Sequence, residues 1–126
     1  MKSLPFSIED LHGGFMKVEG ILRVEDENLV FEYQKKDAVL EAYQSELKTQ
    51  TIDLHEIDIL EHKKGWFSDK LILHGKRGSS FKELPGKDLT ERVLKVKKKH
   101  RNHAANLTSN LNLLLSEKKL RDMENS

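Results

Sequence analysis

The residues of this 126-residue chain best suited to acid–base or metal chemistry are its six histidines. His100 and His103 stand three apart, and His55, His62 and His74 fall around expected strand ends. A closed zinc site needs three or four converging ligands, and the chain has neither an HExxH spacing nor a cysteine. The His100/His103 pair therefore reads as solvated side chains near a helix start, and no metal or other cofactor is expected. Nucleophilic catalysis would need a serine with a base and an orienting acid, yet Ser79 and Ser80 lie in a turn with no such partners nearby in sequence. Gly13-Gly14 and the Gly75–Gly78 turn lack the residues of a phosphate loop. No enzyme is expected.

Binding chemistry is better represented. The stretch His62-Lys63-Lys64-Gly65-Trp66-Phe67-Ser68-Asp69-Lys70 sets the one tryptophan beside a phenylalanine at a hairpin turn. Indole favours the headgroup level of a bilayer, and Lys63, Lys64 and Lys70 would attract anionic lipid. Adjacent strand residues point to opposite faces, so one aromatic is expected in the core. Phe67 shares its row with Leu71 and Leu73 and is the expected core residue, leaving Trp66 toward the surface or a helix edge. Asp69 lies in that same row and would have to sit at a wet end of the sheet.

A second basic cluster, Lys97, Lys98, Lys99 and Arg101, precedes the last helical segment. It has no interleaved aromatic platform, so nucleic acid is not an expected partner. Cations at a helix start oppose the helix dipole and require an anion or an acidic neighbour. The charge distribution offers such neighbours. Residues 1–61 carry six Lys/Arg against fourteen Asp/Glu, and residues 62–126 carry sixteen against seven. Either the late half presents a basic face, or acidic early strands neutralise basic late ones.

These side chains must be positioned by an architecture that the periodicity outlines. Ser7-Ile8-Glu9-Asp10 resembles a helix-capping box, so a short helical turn is expected in residues 1–13, an N-terminal extension. Met16, Val18, Leu22 and Val24 alternate as a strand; Leu29, Phe31 and Tyr33 form a second across the polar turn 25–28. Further strands are expected at Thr49–Leu54, Ile57–Ile59, Leu71–Leu73, Phe81–Leu84 and Val93–Val96, while residues 37–46 suit either a helical turn or an edge strand. From Ala104 the period changes: Leu107, Leu111, Leu114 and Leu115 define a long amphipathic helix, with residues 117–126 fraying. The expected fold class is thus mainly β, about seven antiparallel strands and one C-terminal helix, in a single domain spanning 1–126. Residues 1–14 contain no continuous apolar run, so neither a secretory signal nor a membrane span is expected there, and a cytoplasmic location follows as the expectation.

That order resembles the pleckstrin-homology-like split barrel, in its bacterial and GRAM-like forms. The resemblance rests on Thr51–Ile57 at a strand corner, Lys64-Gly65-Trp66-Phe67 at a hairpin, Leu84-Pro85-Gly86 before the last strand, and Lys99–Ala104 at the helix start. The expected function is a non-catalytic binding or scaffold domain of that fold, using an exposed sheet edge or the Trp66 hairpin to hold a protein partner or its own copy. A peripheral domain on an anionic membrane surface is the alternative. The binding residues would be Lys63, Lys64, Trp66, Lys70, Lys97, Lys98, Lys99 and Arg101. The turn Glu25-Asp26-Glu27-Asn28 departs from the basic loop that such domains carry near their first strands, and it would repel a phosphorylated headgroup.

Overall fold

The computed structural model describes residues 3–11, 15–37, 39–40, 46–86 and 90–125. Seven strands, β1 (Leu4–Leu11), β2 (Met16–Glu25), β3 (Asn28–Asp37), β4 (Lys48–Asp53), β5 (Ile57–Lys63), β6 (Ser68–Gly75) and β7 (Glu91–Lys97), precede one helix, α1 (Arg101–Glu124). All the strands pair antiparallel in one sheet of order β4-β3-β2-β1-β7-β6-β5. The two groups of strands join at β1 and β7, where the register places Ser7 opposite Lys95.

Period two decides which face is buried. Val18 and Leu22, Leu29, Phe31 and Tyr33, Leu71 and Leu73, and Leu94 and Val96 point inward. With Leu107, Leu111 and Leu115 of the helix they form one apolar cluster. Phe6 meets Phe31 edge to face, with ring centroids 5.8 Å apart. Gly20 lies where β2 and β3 approach too closely for a side chain, since a Cβ there would fall 2.2 Å from the Glu32 carbonyl oxygen.

Several expectations are corrected. Ser7–Asp10 does not start a helical turn; it lies in β1, at the centre of the sheet rather than in an extension. A cap contributes about 1 kcal/mol, whereas burying Leu4, Phe6 and Ile8 at period two contributes about 1.5–3 kcal/mol for each. Phe81 and Leu84 do not form a strand. They reach the core three residues apart from successive turns, closed by the amides of Ser80, Lys82 and Leu84 on the carbonyls of Arg77, Ser79 and Phe81. The sheet therefore has the expected number of strands but not the expected set. The helix runs on to Glu124 through the segment expected to fray, and there Lys118 buries its stem while its ammonium reaches Glu27 at 3.4 Å. Leu114, expected inside, is 39% exposed. Of the ambiguous segment 37–46, residues 38 and 41–45 lie outside the described residues, and Asp37 ends β3 by accepting the Val39 and Leu40 amides.

The helix also closes an edge of the sheet. The Asn112 carboxamide oxygen accepts the Leu60 amide at 2.9 Å, and its nitrogen donates to the Leu60 carbonyl at 2.8 Å. Lys119 donates to the Asp58 carbonyl at 3.2 Å. Two helix side chains thus occupy β5 backbone groups that a neighbouring strand would otherwise pair on that side. Asn112→Ala is expected to lower stability by about 1–3 kcal/mol, measured by urea unfolding, because both Leu60 groups lose partners in a part-buried site. An unchanged urea midpoint would refute this bridging role.

Candidate functional site

The site is built on the β5–β6 hairpin and on the corner between β7 and α1. Residues 64–67 lie beyond the paired part of the hairpin, whose last register pair is Lys63 with Lys70. The alternation rule ends where the ladder ends. Trp66 is 84% exposed and Phe67 is 87% exposed, so the expectation that Phe67 enters the core is overturned. The inward position belongs to Asp69, which is fully buried rather than wet.

The burial of Asp69 is compensated from three directions. Arg101, the first residue of α1, donates from Nη2 to Oδ1 at 2.7 Å and from Nε to Oδ2 at 2.9 Å. His62 Nε2 lies 2.7 Å from Oδ2, and the Gly65 amide donates to Oδ1 at 3.2 Å. Arg101 Nη2 also donates to the Gly65 carbonyl at 2.7 Å. The Arg101 guanidinium, aided by His62 and the Gly65 amide, holds the Asp69 carboxyl well below the usual carboxylate range against the opposing effect of burial. Arg101 thus differs from the other expected binding residues. Its charge is engaged inside, and it fixes the aromatic tip relative to the helix.

The acid that offsets a cation at the helix start is therefore Asp69, from the basic half of the chain. The remaining charge split is largely interleaved: Lys95 meets Glu9 at 3.3 Å, Lys119 meets Asp58 at 3.2 Å, Lys118 and Arg121 flank Glu27, and Arg77 is paired with Glu56. Each pair joins an acid from residues 1–61 to a base from residues 62–126. Ser80 belongs to this bracing, because its hydroxyl donates to Glu56 and accepts the Arg77 amide.

The expected lysines remain on the surface. Lys63, Lys64, Lys70, Lys97, Lys98 and Lys99 are exposed. The registers set Lys63 opposite Lys70 and Lys70 opposite Lys95, a row of like charges on the outer face of β5, β6 and β7. Cross-strand neighbours of like charge repel, and the row is relieved by Glu61 at 3.8 Å from Lys63, by Glu9 at 3.3 Å from Lys95 and by the exposure of Lys70. Sequence reasoning missed the row, as strand registers are not visible in a single chain. Among the described residues, no three His, Asp or Glu side chains converge as a metal site requires, and no helix is long and apolar enough to cross a membrane. Comparison with known proteins finds no matching family model, no similar curated protein and no similar solved structure.

Because the folded Asp69 carboxyl titrates below its unfolded value, its contribution to stability is complete above about pH 4, the ordinary carboxyl range, and is lost as pH falls through its lowered value. Thermal unfolding should accordingly show Arg101→Met lowering the melting temperature by roughly 5 °C or more at pH 7. The difference from the parent should shrink below about pH 3. A difference independent of pH would show that the ion pair is not its source.

Proposed function

We propose that this chain is a non-catalytic binding domain of pleckstrin-homology-like architecture that attaches peripherally to anionic membrane surfaces through the β5–β6 tip. The observation that carries this reading is the joint exposure of Trp66 and Phe67 on a tip whose base is tied down by Arg101 and Asp69. Large aromatics normally gain by burial, and here two adjacent ones stay outside while an aspartate is buried beside them. Around them stand Lys63, Lys64 and Lys70, with Lys97, Lys98 and Lys99 on the neighbouring corner. Each lysine near an anionic leaflet contributes about 1 kcal/mol, and the aromatic rings add interfacial insertion. The order of seven antiparallel strands and a C-terminal helix supports the architectural part of the proposal.

A second reading, in which a protein partner or a second copy is held, is favoured by a different surface. Leu113, Leu120 and Met123 are exposed on the helix, and β4 ends the sheet on the side opposite the Asn112 bridge. A partner seated on this surface would leave the aromatic tip uncovered, so this reading stands second.

Flotation of the purified protein with neutral and with anionic vesicles, at low and high salt, separates the two. Capture is expected only by anionic vesicles and should weaken as salt screens the lysines. Trp66→Ser with Phe67→Ser should abolish capture while changing stability by less than about 0.5 kcal/mol for each exposed side chain. Failure of the parent protein to float with any vesicle would refute the membrane reading and direct attention to the second surface.

A further inference from the structure

Beside the tip, an open groove of about 570 Å³ runs over the outer face of the sheet where β1 and β7 meet. It falls in the size range of small-ligand sites. Its walls combine Ser7, Lys17, Ser68, Lys95, Lys97 and Lys99, and Phe67 of the tip borders it directly. Glu9 and Glu19 also line it. Each is already matched by lysine: Lys95 lies 3.3 Å from Glu9, and Lys17 and Lys36 lie 3.5 Å and 3.4 Å from Glu19. Four lysines against two glutamates leave a surplus of two positive charges, carried by Lys97 and Lys99 at the end nearest the tip.

From this geometry we infer that the groove receives one phosphate monoester. The inference rests on the membrane reading for the ligand's lipid source but not for its chemistry. A monoester carries about −1.5 to −2 at neutral pH, which the surplus of two neutralises, whereas a diester carries only one charge. Ser7 and Ser68 supply hydroxyl donors to its oxygens. His100 lines the same end as the residue preceding α1, where no side chain caps the helix and its first turn holds no acid, so the helix dipole also favours an anion there. Pro5 and Phe67 give an apolar border to the carbon side of the ester.

The monoester can belong to a lipid headgroup or to a soluble metabolite, and two arms distinguish these. In the first, vesicles containing phosphatidic acid, a monoester, are compared with phosphatidylglycerol vesicles, a diester, matched in surface charge. In the second, glycerol 3-phosphate is titrated against the protein without vesicles, with amide NMR shifts followed at Ser7, Ser68, Lys97 and Lys99. The expected result is at least fivefold tighter binding to phosphatidic acid than to phosphatidylglycerol in the parent protein, and a ratio near one in Lys97→Gln with Lys99→Gln, whose capture by both kinds of vesicle weakens. Shifts confined to the groove, without vesicle binding, would identify a soluble ester, uphold the groove and refute the membrane reading. Equal binding to both vesicles, with no groove shifts, would overturn the groove while leaving the membrane reading intact. Absence of binding in both arms overturns both.

Discussion

The ion pair between Asp69 and Arg101 is the constraint on which the aromatic end of this domain depends. A carboxylate without solvent access must find compensation for its lost hydration, and here the compensation comes from the first residue of the helix. That requirement fixes where the helix begins relative to the β5–β6 hairpin. The same guanidinium holds the Gly65 carbonyl, so the loop that carries Trp66 and Phe67 is oriented by the pair rather than by apolar contact. Gly65 is itself needed there, since a Cβ would fall 2.1 Å from the Ser68 carbonyl oxygen. Buried ion pairs add little net stability compared with apolar replacements, and their value lies in specifying one arrangement. Here the specified arrangement is an aromatic tip held away from the core.

Elsewhere the fold manages its polar groups by similar local devices. Asn112 and Lys119 satisfy the open side of β5, which would otherwise offer its amides and carbonyls to another chain. Arg92 is buried beneath the β6–β7 connection and donates to the Phe81 and Leu84 carbonyls, which hold two core side chains in a segment without strand pairing. Acids of the early strands meet bases of the late strands and helix across the structure. Beside the aromatics, Lys63, Lys64, Lys70, Lys97, Lys98 and Lys99 all stay exposed. A nearly neutral chain can therefore present a strongly basic local surface.

Tip and groove share that end, and Phe67 belongs to both. The exposed aromatics, the row of lysines and the groove share one geometry, in which β6 lies between β5 and β7 and sets Ser68 opposite Lys97. Two histidines of this part of the sheet are engaged with acids. His62 is spent on Asp69, and His74 lies between Glu61 and Glu91.

Much of the architecture is legible in residue order alone. Strands β2 to β7 follow from alternation of apolar residues, and the helix follows from the change of period near Lys98, because both patterns report which side of a regular element faces the core. The lysines of the site are visible as a composition feature. Expectation and structure diverge where a local rule meets a distant partner. Phe67 loses its inward position because pairing stops at Lys63 and Lys70, beyond which parity has no meaning, and Asp69 takes the inward place because a guanidinium 32 residues later can reach it. The capping signal at Ser7 yields to the burial of three alternating side chains between two strands that arrive later in the chain. Residue order thus carries the element types and the absence of recognisable catalytic motifs, both of which are local properties of the chain. Which charges are neutralised and which aromatics stay outside was settled by the folded arrangement alone, since both depend on contacts between residues far apart in sequence.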